Sequence, residues 1–209
     1  ASYNTAIGAF AGNGNSSGTD NVAVGSSALR SNATGAKNTA VGADALEVNT
    51  ASNNTAVGTD ASKANTSGAY NTAVGSGALE ANITAAGSTA VGYNALKLAT
   101  AAGNTAVGAD AAKSNTSGIY NTVVGTEALA TNATGNRQVA IGYKALNLVT
   151  GGYNTAIGSL AMSVATTAID NTAVGSSAGA ALLDGYDNCL LGSSAASNLQ
   201  SGQANVCVG

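Results

Sequence analysis

The sequence predicts an all-β fold, a parallel β-solenoid (β-roll) of 16–17-residue coils, and three observations predict it. A five-residue motif, most often Asn-Thr-Ala-Val-Gly, occurs thirteen times, ending at Gly8, Gly25, Gly42, Gly58, Gly75, Gly92, Gly108, Gly125, Gly142, Gly158, Gly175, Gly192 and Gly209. The steps between these glycines are 16 or 17 residues and nothing else, which is the mark of a repeat array. Each motif is rich in Thr and Val and closed by Gly, as a short strand and its turn are. Three residues after the motif glycine comes Ala, usually followed by a large residue: Leu29, Leu46, Leu79, Leu96, Leu129, Leu146 and Met162. That pair predicts a second wall whose leucine fills the core of the coil.

The motif positions differ in chemistry. The first is Asn in eleven copies, with Ser88 and Gln138 as exceptions. The second is Thr in nine, replaced by Val22, Val139, Cys189 and Val206. The third is Ala in ten, replaced by Val123, Leu190 and Cys207. The fourth is always Val, Ile or Leu, and the fifth always Gly. Strand alternation puts the second and fourth positions on one face and the third on the other. The aliphatic fourth position predicts that its face is the core. The third position then faces away, yet it never holds a polar residue, and a strand apolar on both sides is covered on both sides. This predicts an inter-chain packing face made of Ala6, Ala23, Ala40, Ala56, Ala73, Ala90, Ala106, Val123, Ala140, Ala156 and Ala173. The asparagines suit a stacked amide ladder. The invariant glycine suits a turn with positive φ or a close backbone approach.

Along the chain, residues 1–209 read as a single array of about twelve coils. Residues 1–20 form an atypical first coil, rich in Gly and Asn, and residues 176–209 form divergent last coils in which Gly179 and Ala196 replace the leucine. The steps also repeat as 17, 17 and 16, a 50-residue period in which Tyr70 returns as Tyr120 and Tyr93 as Tyr143. The third stretch of each coil, such as Asn65-Thr66-Ser67-Gly68, carries turn residues and predicts an outer corner. Its Asn-x-Ser/Thr triplets at Asn32, Asn65, Asn82, Asn115 and Asn132 read as turn chemistry rather than glycan acceptors.

Composition narrows the function. The chain has no His, Pro or Trp, and net charge is −3 with 8% charged residues. Without His, the usual Ser/His and Cys/His nucleophile arrangements and His-based metal sites are absent. No cofactor or metal is expected, and the chain does not read as an enzyme. The seven basic residues are spread singly, against a nucleic-acid partner. No apolar run is long enough to insert in a membrane. Cys189 and Cys207 fall in positions of opposite facing, which disfavours a disulfide between them. Asp44, Asp60 and Asp110 share a corner that reads as solvated, and Asp170, Asp184 and Asp187 make a weak calcium candidate. Tyr70, Tyr93, Tyr120 and Tyr143 are candidate surface-binding residues, because tyrosines exposed on a polar scaffold can stack on sugars.

The repeated Asn-Thr-Ala-Val-Gly-x-x-Ala-Leu resembles the repeats of bacteriophage tail fibres and of trimeric autotransporter adhesin heads. Gln138-Val139-Ala140-Ile141-Gly142 and Asn21-Val22-Ala23-Val24-Gly25 carry the likeness most closely. The resemblance implies three chains around one axis, a homotrimer on the cell exterior or the virion surface, and attachment to a host or other surface through a receptor or glycan. The expected function is therefore a structural and attachment fibre segment. One alternative is an extracellular filament self-assembling end to end. Another is an ice-binding solenoid using the threonine ranks, which requires the second and fourth motif positions to face solvent.

Overall fold

A computed structural model of the chain describes residues 2–209. The chain forms two compact units, Ala1–Asn104 and Thr105–Gly209. The first holds strands β1 to β6, Thr5–Ile7, Val22–Val24, Thr39–Val41, Thr55–Val57, Thr72–Val74 and Thr89–Val91. The second holds β7 to β13, Thr105–Val107, Thr122–Val124, Val139–Ile141, Thr155–Ile157, Thr172–Val174, Cys189–Leu191 and Val206–Val208. In both units each strand pairs in parallel with the next, in register, so that Ala40 sits over Ala56 and Ala56 over Ala73. The all-β parallel solenoid read from the motif spacing is the fold of each unit.

The facing of the strands is the reverse of the expectation. The third motif position points inward: Ala40, Ala56, Ala73, Ala90, Ala106, Val123, Ala140, Ala156 and Ala173 are fully buried, and Ala23 is 2% exposed. Ala6, in the end strand β1, keeps the same register opposite Ala23. Apart from Ala6, which is exposed in the end strand, these side chains lie inside their own coil and cannot pack against another chain. The second and fourth positions point to solvent instead. The physical reason lies in the first position. Asn and Ala are two residues apart and must share a face. The asparagine amide is buried, so the alanine is buried with it.

The coil from Asn71 to Ser88 shows the arrangement. Asn71, Ala73, Ala78, Leu79 and Asn82 fill the interior, and all are buried. In this coil Leu79 is the one bulky aliphatic side chain inside. Asn82 belongs to the stretch expected at the outer corner, but its amide turns inward, donating to Ala85 O at 3.0 Å and accepting from Ala85 N at 3.0 Å. Asn32, Asn65, Asn115 and Asn132 are buried in the same way. None of the five is placed to accept a glycan. The sixteen-residue coils close with one residue fewer at this corner, as at Thr50 and Thr150.

Within each unit the motif asparagines form a hydrogen-bonded ladder. The backbone N–H of Asn71 donates to Asn54 Oδ1 at 2.9 Å, and that of Ser88 donates to Asn71 Oδ1 at 2.9 Å. The Asn71 amide nitrogen donates to Ala85 O at 2.8 Å. Both exceptions keep the pattern, since Gln138 Oε1 accepts from Asn154 N at 3.0 Å and Ser88 Oγ from Asn104 N at 3.3 Å. Side-chain amides thus satisfy buried backbone donors that a narrow coil would otherwise leave unpaired.

Sharp corners give each coil its small cross-section. Three positions adopt left-handed backbone in successive coils: two and four residues after the motif glycine, and the residue just before the motif asparagine. Asp60 (φ 58), Ser62 (φ 49) and Tyr70 (φ 61) represent them in one coil. No Val, Ile or Thr stands at any of these positions, as expected where a β-branched side chain would clash with its own backbone. The buried leucines, Leu79 at φ 51 and Leu96 at φ 51 among them, obey the same rule. Leucine is the largest aliphatic residue that the corner admits.

Candidate interaction faces

With alanine inside, the solvent face of the parallel strands in each unit is a wall of two ranks. One rank is threonine: Thr39, Thr55, Thr72 and Thr89 in the first unit, and Thr105, Thr122, Thr155 and Thr172 in the second. The other is aliphatic. In the second unit Val107, Val124, Ile141, Ile157, Val174 and Leu191 are each 36–39% exposed, one per coil without a break. In-register pairing aligns the ranks, with Val107 beside Val124 and Val124 beside Ile141. Single exposed apolar residues are ordinary on a protein surface, whereas a contiguous rank of them is a candidate contact face.

Two sets of threonines behave differently. At the third corner the hydroxyls bond to the next coil: Thr50 Oγ1 donates to Thr66 O at 2.8 Å, Thr66 Oγ1 to Ile83 O at 3.0 Å and Thr150 Oγ1 to Thr166 O at 2.8 Å. These hydroxyls clamp coil to coil. Among the described residues, the wall threonines have no side-chain hydrogen bond within the chain. Their hydroxyls are directed at whatever lies above the wall.

The corner after the motif glycine carries most of the charge in the first unit. Arg30 pairs with Glu47 at 2.5 Å, and Lys97 with Glu80 at 3.2 Å. Lys63 Nζ lies 3.0 Å from Asp60 Oδ1 and 3.1 Å from Asp44 Oδ2. The hydrogen bond to Asp60 and then that to Asp44 raise the Lys63 pKa above the usual lysine value. A raised lysine pKa adds stability below the ordinary lysine pKa and loses it as pH rises through the elevated one. The pairs are exposed and contribute little to stability; their alternating sign favours in-register stacking. Asp110 is held by Lys113 at 3.7 Å, so the aspartate corner is ion-paired as well as solvated. An open groove of about 530 Å³ runs beside these pairs, lined by Val48, Ala64, Ala81 and Ile83 with Glu47, Lys63 and Glu80 at its edge.

Among the described residues, no group of three or more His, Cys, Asp or Glu side chains is placed to hold a metal. Asp170 and Asp187 stack in adjacent coils without a third ligand. Cys189 and Cys207 are both free, with Cys189 on the wall and Cys207 in the inward position of β13. Tyr70, Tyr93, Tyr120 and Tyr143 are all exposed. Tyr143 lies 5.2 Å from the Lys144 ammonium, measured to the ring centroid. Tyr70 and Tyr120 hold the left-handed position before the motif, whereas Tyr93 and Tyr143 follow the motif glycine. They therefore form two separate ranks. Comparison with family models, with curated proteins and with solved structures found no match.

Proposed function

We propose that the chain is a segment of a homotrimeric structural and attachment fibre, of the tail-fibre or surface-adhesin kind, whose copies pack through the threonine–valine wall. The observation that carries this reading is the unbroken aliphatic rank beside free threonine hydroxyls. A coil with one leucine inside buries little apolar surface for its perimeter, and association through the wall supplies more. The resemblance of the repeats to fibre and adhesin-head repeats supplies the number three and an extracellular or virion-surface location.

The pattern of the wall also supports self-association with parallel copies. In the second unit the second motif position runs Thr105, Thr122, Val139, Thr155, Thr172, Cys189 and Val206. Around a rotation axis each level meets its own kind, so hydroxyl faces hydroxyl and methyl faces methyl. An antiparallel pairing would set Thr105, Thr122 and Thr172 against Val206, Cys189 and Val139. Each mismatch would leave a hydroxyl unpaired in a dry contact, which costs about 1–3 kcal/mol.

Cys189 stands in this rank and reports on it. In chain carrying Cys207→Ser, a short bis-maleimide is expected to give covalent dimers through Cys189, and the Cys189→Ser chain to give none. Rapid alkylation of Cys189 without any dimer would oppose the reading.

A second reading is favoured by the solvent-facing threonine rank. An ice-binding solenoid requires the second and fourth positions to face water, and both do. Thermal hysteresis of a monomeric chain would favour it over the fibre.

A further inference from the structure

We propose that Tyr120, Arg137 and Tyr153 form a binding strip for an acidic saccharide, the guanidinium taking a sugar carboxylate and the phenol rings the sugar faces. The inference rests on the attachment part of the function proposed above, and not on the number of copies.

The three residues hold the corner just before the motif in successive coils of the second unit, spaced by about 4.8 Å per coil. Their backbones are left-handed, with φ of 58, 52 and 61. The coils are tied beside them: Arg137 N donates to Ile119 O and Tyr153 N to Asn136 O, both at 2.9 Å. The Arg137 guanidinium carbon lies 5.6 Å from the centroid of the Tyr153 ring. Tyr120 and Tyr153 are both exposed.

Arg137 differs from the other cations. Arg30, Lys63, Lys97, Lys113 and Lys144 each have a carboxylate within 4 Å. Among the described residues Arg137 has none, and its neighbours along the corner are tyrosines. Lys37 also lacks an ion pair, but it stands between Asp20 and Asn53 with no ring beside it.

Internal repetition does not account for the strip. Fifty residues earlier the same positions are Tyr70, Gly87 and Gly103. Duplication explains Tyr120; a hundred residues earlier the positions are Asp20, Lys37 and Asn53, so a cation recurs there, but a cation flanked by two rings stands only at Tyr120, Arg137 and Tyr153. A non-glycine residue in that conformation costs about 1 kcal/mol. The exposed side chains return nothing to the core, so their use lies outside the coil.

The chemistry selects an anion on a ring. A guanidinium binds a carboxylate through two parallel N–H donors. The tyrosine faces offer apolar contact to sugar C–H groups, and the hydroxyls offer polar contact at the edge. Asp170 follows Tyr153 along the corner and repels an anion there, which places the carboxylate between Tyr120 and Tyr153.

The test is calorimetric titration of the whole chain with an oligogalacturonate and with its methyl ester, which has the same rings without the charge. Binding of the acid is expected, with at least tenfold weaker binding of the ester. Arg137→Asn is expected to reduce affinity for the acid at least tenfold and Tyr153→Asn to weaken it, because asparagine accepts the left-handed corner and leaves the thermal melt in place. Tyr70→Asn, on the corner without a cation, should leave binding unchanged. Absence of binding, equal affinity for acid and ester, or an unaffected Arg137→Asn chain would overturn the proposal. Light scattering on the same samples separates this from the fibre reading: unaltered trimer mass with no binding counts against the strip alone, and a monomer that binds counts against the trimer alone.

Discussion

Replacing Gly75 with alanine is expected to destabilise the first unit by about 4 kcal/mol or more, the range of backbone strain combined with a core clash. Gly75 has φ +132, a region that side chains rarely adopt. A Cβ there would lie 2.4 Å from the carbonyl oxygen and 2.6 Å from the carbonyl carbon of Gly92, the same glycine one coil on. Backbone meets backbone, so no side chain can swing aside to make room. The clash would recur at Gly58 and Gly108, each within 2.7 Å of the next glycine's carbonyl. This is why the fifth motif position never varies. Gly87→Ala is the control. Gly87 is also left-handed, with φ +68, but nothing lies within 4 Å of an added Cβ. Only the conformational cost of about 1 kcal/mol applies there. Thermal denaturation should therefore show a fall of roughly 15 °C or more for Gly75→Ala and of only a few degrees for Gly87→Ala. Equal melting of the two variants would contradict the close stacking of the glycines.

Asn71→Ala is expected to cost about 3 kcal/mol, and Asn71→Ser markedly less. The asparagine is buried and its Oδ1 is the acceptor for the Ser88 backbone N–H at 2.9 Å. Alanine leaves that donor unpaired in the core and opens a small void. The Ala85 carbonyl is less exposed to the loss, because Asn82 also donates to it at 3.0 Å. Serine keeps an acceptor near the donor, as Ser88 itself does for Asn104. Chemical denaturation of the two variants would check the order. If alanine and serine cost the same, the ladder contributes through volume rather than hydrogen bonding.

The solenoid and its stacking were legible from spacing alone, because glycines recurring at 16 or 17 residues admit no other arrangement of short strands. The leucine core and the amide ladder were legible too, from the pairing of Ala with Leu and from the asparagine column. The facing of the strand was not. An aliphatic position such as Val74 reads as core by hydrophobicity, which leaves Ala73 on the opposite face to be read as an inter-chain packing residue. Burial here is decided by size and by hydrogen bonding instead. The coil has room for Asn71, Ala73 and Leu79 and not for Val74 as well. The clue available in the sequence was the period of two that ties Asn71 to Ala73, since an amide ladder belongs in a dry interior. The Asn-x-Ser/Thr stretches misled in the same direction, because Asn82 is a turn residue whose side chain closes the turn from inside. The strip at Arg137 was visible only once a ring and a cation could be seen on the same corner.

That the threonine–valine wall is where copies meet is tested most directly by solution mass, from light scattering on a size-exclusion column. The wild-type chain should elute as a single species of about three times its 19.8 kDa. A chain carrying Val107→Lys, Val124→Lys and Ile157→Lys should fall to the mass of one copy, because three charges per copy would be buried in the contact. These positions are about a third exposed in the single chain, so the lysines leave the coil folded. A wild-type mass of 19.8 kDa would contradict the account, leave the wall open to water and bring the ice-binding reading forward.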